Sequence, residues 1–177
     1  MKVIVKNGER LRHFADSSAQ RNGQPWFMPD MPTGWAAIVC PAIRISRLGT
    51  HISRKFAERY YDAVSAAIMF MPAEFSSDVT RADESFFVRD SGYSMGTSAE
   101  AVDKSAVHVI SIDDRSLDFS CVGVGFDEMV SEVSGICTLK MGDIIIDTSH
   151  SIVVDVAEGH HLAVELDGQS CLDLRIK

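Results

Sequence analysis

Hydrophobic and polar positions along the chain divide it into elements of different period. Residues 1–5 alternate as a short strand, and the stretch that follows through Gly23 is polar. Three of the five prolines fall between Pro25 and Pro32. Proline lacks a ladder donor, so this part reads as an irregular connection laid over the body. From Trp35 to Leu48 the sequence WAAIVCPAIRISRL is strand-like, and Gly49 ends it. Over 52–71 the residues Ile52, Phe56, Tyr60, Ala63, Val64, Ala67, Ile68 and Met71 recur at three- and four-residue steps. That spacing predicts a long helix with Ser53 as its N-cap and Pro72 as its stop. A polar loop follows over 76–97. VHVISID and SLDFSCVGVG predict a hairpin turning at Asp113 and Asp114. Asp127 opens a second, shorter helix carrying Met129, Val130, Val133 and Ile136. MGDIIID, SIVVDVAEG, HHLAVELDG and QSCLDLRIK then supply short strands separated by glycine turns. The expected class is α+β, mostly β, in a single domain over 1–177. Residues 1–38 form an N-terminal cover segment and 39–177 a β-rich core.

Composition narrows the functional classes. With 177 residues, 46% of them hydrophobic, the chain is long enough to bury its own core without disulfide or metal staples. Asp and Glu number 25 against 17 Lys and Arg, a net charge of −8, and the cations form no stripe. A nucleic-acid partner is therefore not expected. The N-terminus lacks an apolar core of the secretory kind, and no apolar run reaches the roughly 20 residues of a membrane span, so the expected location is the cytoplasm, away from membranes. Cys40, Cys121, Cys137 and Cys171 lie far apart among apolar neighbours, as reduced cysteines do.

No P-loop, dinucleotide fingerprint, zincin or serine-hydrolase motif occurs. His160 and His161 are adjacent on a strand and point to opposite faces, so they do not grip one ion together. The apolar content of Tyr60, Tyr61, Ile68, Met69, Phe70 and Met71 is read as core at helical spacing. One set of segments carries more information: Leu139-Lys-Met-Gly-Asp-Ile-Ile-Ile-Asp147, then Ala157-Glu-Gly-His160, Ala163-Val-Glu-Leu166 and Leu172-Asp-Leu-Arg-Ile176. These resemble the closing portion of the fumarylacetoacetate hydrolase family, with its Leu-x-Pro-Gly-Asp strand entry and Thr-Gly-Thr-Pro turn. In reduced form the resemblance extends over most of the chain. It implies a mixed β-roll with one long and one short helix, a homodimer, and hydrolase, isomerase or decarboxylase chemistry on keto- or enol-acids.

The resemblance also assigns residues. His13, with Asp16 three positions on, matches the family's acid–base dyad. The family binds Mg²⁺ or Mn²⁺ through two glutamates at alternate strand positions and an aspartate near the end of the following helix. Those positions fall on Pro41, Ile43 and Met69, none of which is a ligand for a hard cation. Neither 39–48 nor 63–73 contains an acidic residue, so a shift of register recovers none. A family lysine becomes Phe87, with Arg89 and Asp90 close by, another becomes Met28, and the Thr-Gly-Thr-Pro turn becomes Asp147-Thr148-Ser149-His150, of which Ser149 is a conservative survivor. The resulting expectation is a degenerate active site with no metal cofactor, in a small-ligand-binding or structural homologue. The rival expectation is a metal-free enzyme in which His13 and Asp16 move protons and Arg89 anchors a keto- or enol-acid carboxylate.

Overall fold

The computed structural model describes residues 1–15, 17, 19–30, 32–75, 93–95 and 105–177. Among them eight strands make one mixed sheet in the order β2-β1-β9-β4-β5-β6-β3, with β10 also pairing to β4. These strands are β1 (Lys2–Asn7), β2 (Arg10–Ala15), β3 (Ala19–Gln20), β4 (Trp35–Ile45), β5 (Tyr61–Pro72), β6 (Tyr93–Met95), β9 (Ile144–Asp147) and β10 (Ile152–Val156). A second, four-stranded sheet has the order β12-β11-β7-β8, formed by β7 (His108–Ile112), β8 (Arg115–Phe119), β11 (His161–Leu166) and β12 (Gln169–Arg175). Three α-helical segments join them: α1 (Arg54–Ala57), α2 (Cys121–Val124) and α3 (Phe126–Ile136).

The mostly-β class stands, but the long helix over 52–71 does not form. The chain makes one turn of helix in α1 and a 3₁₀ turn at Glu58–Tyr60, then enters β5, which pairs antiparallel with β4 from Trp35↔Pro72 to Ile45↔Tyr61. The physical reason lies in the run from Ala63 to Met71, which is buried at every position and not along one stripe. A strand covered on both faces needs an unbroken apolar run, and such a run also satisfies helical spacing. Successive β5 residues feed two cores. Val64, Ala66, Ile68 and Phe70 join the large cluster shared with the second sheet and α3, and Ala67, Met69 and Met71 join a smaller cluster on the opposite face.

Residues 1–38 are likewise more than a cover, because β1 lies inside the main sheet between β2 and β9, and β4 begins at Trp35. The proline-rich stretch is held by its tryptophan. The Trp26 N–H donates to the Arg175 carbonyl at 2.8 Å, its carbonyl accepts from Lys177 N at 2.9 Å, and its ring stacks on Phe70 at 3.8 Å. The hairpin β7–β8 turns at Asp113, as its sequence predicts, with φ of 54° there, but its second strand ends at Phe119, and Cys121–Val124, expected to continue it, form α2 behind the Ser120 cap.

Candidate functional site

The register of β4 and β5 places the residues matched to the family's metal ligands. Pro41 and Ile43 are two apart on β4 and share a face, whereas Met69 lies directly opposite Ile38. Since side chains alternate along a strand, Met69 points to the other side of the sheet from Pro41 and Ile43. The three positions therefore do not converge. The β4 residues on the Met69 face are Ala36, Ile38, Cys40 and Ala42, buried together with Ala67 and Met71. The single carboxylate on either strand is Asp62, at the exposed start of β5, where it accepts from Arg44 Nε at 3.3 Å. Alkyl groups, a thiol and thioethers are joined on this face by one hydroxyl, Ser65, which donates to the Ala66 carbonyl, and a single hydroxyl is no ligand set for a hard divalent cation.

His13 sits on β2 opposite Ile4, exposed at the edge of the main sheet. Asp16, Arg89 and Asp90 lie outside the described residues. Ser149 is exposed in the turn after β9, where its Oγ accepts from Gly8 N at 3.2 Å. The two neighbouring histidines are engaged separately. His160 Nδ1 accepts from Ala157 N at 3.3 Å, and His161 Nε2 meets Asp173 Oδ1 at 2.8 Å.

That same turn brings together a pair the sequence reading passed over. Here β4 exchanges partners, pairing with β9 through Ala42–Arg44 and with β10 through Trp35–Val39. The chain between β9 and β10 crosses at this exchange. Asp147 closes β9 with its side chain 2% exposed, and its Oδ2 lies 2.6 Å from Nδ1 of the half-exposed His150. Oδ1 also accepts from Ser149 N at 3.2 Å and Oδ2 from His150 N at 3.3 Å, so the carboxylate is fully engaged and the turn is closed on itself. Thr148 completes the clasp, donating from N and Oγ1 to the Lys6 carbonyl at 3.0 and 3.1 Å.

A carboxylate against Nδ1 fixes the imidazole tautomer and leaves Nε2 as a proton acceptor. His150 lines a cleft of about 290 Å³ together with Val107, Asp118, Phe119, Ser120, Gly123 and Val124. The floor is shaped by α2, whose N-cap Ser120 accepts from Gly123 N at 3.0 Å. The Asp147 charge also reaches Cys40, whose thiol is pushed up first by complete burial and then by that carboxylate. The signal in the sequence was Asp-x-x-His at a strand end. Its two members meet because the turn folds back, which spacing alone does not state.

No family model matches the sequence, and no curated protein matches it. Solved structures do match in fold. A 5-carboxymethyl-2-hydroxymuconate delta-isomerase from Mycobacterium smegmatis is 15% identical, with a TM-score of 0.75 over 99% of this chain and 78% of its own. A Yersinia pestis protein assigned to the fumarylacetoacetate hydrolase family is 17% identical at a TM-score of 0.74, covering 99% and 92%. A fumarylpyruvate hydrolase from Pseudomonas aeruginosa, in complex with Mn²⁺ and pyruvate, is 16% identical at 0.71, covering 99% and 89%. This last structure corrects the expectation that no divalent ion goes with this chain, because a protein of the same fold holds one. Asp62, exposed and paired with Arg44, is the one carboxylate on β4 and β5, so an ion held by this chain would take most of its ligands from other residues.

Proposed function

We propose that this chain, which has the fold of the fumarylacetoacetate hydrolase family, is a small-ligand-binding homologue that does not hydrolyse carbon–carbon bonds at β4 and β5. The register of those two strands carries the reading. Met69 lies in a buried hydrophobic cluster with no carboxylate on its face of β4 or β5 within the buried run, and the residues matched to the family's ligands are divided between the two faces of the sheet. A Lewis acid contributes several kcal/mol of transition-state stabilisation to such a cleavage, and the residues at these matched positions are not ligands for one. What the fold retains is the cleft at the 147–150 turn, a little under the usual range of small-molecule sites, about 300–1,000 Å³. Its imidazole, held by a buried carboxylate, suits a ligand that presents a hydroxyl or an enol proton, and a small keto- or enol-acid meets that description.

Two measurements on the same protein test this. Incubated with Mn²⁺ and fumarylpyruvate, it is expected to show no cleavage above the buffer blank. Titration with pyruvate is expected to move the amide resonances of Phe119–Val124 and Ser149–His150. Steady turnover of fumarylpyruvate, or pyruvate shifts confined to other regions, would overturn the reading.

A further inference from the structure

We infer that the pocket formed by Arg47, Leu48, Phe56, Arg59 and Tyr60 binds an organic carboxylate that carries an apolar body. This pocket, of about 310 Å³, lies between the chain leaving β4 and the α1–3₁₀ segment, and shares no lining residue with the cleft at His150.

Its walls are fixed by backbone. A Cβ added at Gly49 would stand 2.5 Å from Cε1 of Tyr60 and 2.7 Å from Cδ1 of Ile52, so the Tyr60 ring lies directly on the glycine backbone. Ser46 N donates to the Tyr60 carbonyl at 2.7 Å, and Gly49 exchanges hydrogen bonds with Leu139 at 3.0 and 2.8 Å. The rim is apolar and open, with Leu48 71% and Phe56 42% exposed.

The cations around it are clustered. Lys2, Lys6, Arg44 and Arg54 each lie within ion-pair distance of a carboxylate. Arg47, Lys55 and Arg59 have no such partner among the described residues, a state they share with Arg21, Arg115, Lys140, Arg175 and Lys177, but these three lie together in one short stretch of chain. Lys55 Nζ instead lies 4.8 Å, and Arg59 Cζ 5.1 Å, from the centre of the Phe56 ring. Glu58, the acidic residue of this stretch, does not line the pocket. In a chain of net charge −8, three uncompensated cations therefore gather around exposed aromatic and aliphatic surface. Two guanidinium forks offer paired donors of the spacing a carboxylate accepts, and Phe56, Tyr60 and Leu48 offer cover for a ring or alkyl chain. Inorganic phosphate would satisfy the first feature and leave the second unused.

Phenylacetate is the probe, with 2-phenylethanol as its uncharged counterpart, followed by amide chemical shifts. Phenylacetate is expected to move resonances within 46–49 and 55–60, and 2-phenylethanol to bind about tenfold more weakly or worse, the size of one charged hydrogen bond. Arg59→Gln and Arg47→Gln should each weaken phenylacetate by a similar factor without lowering the melting temperature, since both side chains are exposed. Arg54→Gln, outside the pocket, should leave it within about twofold, as surface charges do when screened. Equal binding of acid and alcohol, shifts outside these residues, or indifference to Arg47→Gln and Arg59→Gln would each overturn the inference. So would inorganic phosphate moving the same resonances as strongly as phenylacetate. Tighter binding of a pentaglutamate peptide would also overturn it, in favour of an acidic partner segment.

Discussion

At Asp143 three donors meet one buried carboxylate. Lys2 reaches it through both its backbone N–H, at 2.8 Å, and its ammonium, and Lys140 N donates at 2.7 Å. Burial works against ionisation of Asp143, but these hydrogen bonds and the Lys2 charge outweigh it and hold the carboxyl below its ordinary value. A carboxyl whose folded pKa is depressed stabilises the protein above its unfolded value, about 3.9, and that contribution is lost as the pH falls through the folded value. Asp143→Asn should therefore be less stable than the parent at neutral pH and show a shallower loss below about pH 4, read from urea unfolding at several pH values. Tyr61 works at the opposite end. Burial, and next the Asp127 carboxylate that its hydroxyl meets at 3.0 Å, raise its pKa far above the ordinary value. Its contribution holds below about pH 10 and is lost in stronger alkali. Thiol labelling tests burial directly. All four cysteines are free, with Cys137 partly exposed and Cys40 fully covered. A disulfide-exchange reagent should therefore modify Cys137 in the folded protein and Cys40 only on unfolding.

Among the elements, β4 and β5 form the spine, and the proline-rich segment depends on them. Trp26 stacks on Phe70 of β5 and meets Trp35 of β4 edge-on, with ring centres 5.3 Å apart. Trp26→Ala removes the shared ring and leaves a cavity between the segment and the sheet. It should cost about 3–5 kcal/mol by denaturant unfolding, the usual range for a buried aromatic. Asp147→Asn tests the β9–β10 turn. It keeps an acceptor for the Ser149 and His150 amides but removes the charge facing the imidazole. At pH 8 the ring 15N shifts of His150 should then report a mixture of the two neutral tautomers, because the carboxylate that holds Nδ1 is no longer charged. An unchanged tautomer population would mean that the 2.6 Å contact contributes no orientation to the ring.

For the molecule as a whole, protection should follow the sheet order. β4 is hydrogen-bonded on both edges and buried on both faces, whereas β2 ends the main sheet with most of its side chains partly exposed. Amide exchange should be slowest in β4 and β5 and fastest in β2, since local opening tracks buried contact. Much of this arrangement was legible beforehand. Wherever one face of an element meets solvent, as in β11, the alternation of buried and exposed positions states both its type and its orientation. The helix α3 was legible for the same reason in its Met129, Val130 and Val133, but its N-cap is Gly125 and not Asp127, and Ile136, expected on the apolar face, is 75% exposed. Phe126, Met129, Val130 and Val133 line one side of it, and acidic residues occupy its first turn.

The linear chain on its own determined the strand-rich class, the hairpin at Asp113, the existence of a short helix carrying Met129, Val130 and Val133, and the lack of carboxylates between Ala63 and Ala73. These depend on local period and residue type, which a chain carries without neighbours. Tertiary structure alone decided that 61–72 is a strand, because an unbroken apolar run acquires two faces only when other elements cover both. It likewise decided that Met69 and Pro41 lie on opposite sides of a sheet, and that Asp147 meets His150. Cross-strand register and the path of a turn are set by partners distant in sequence.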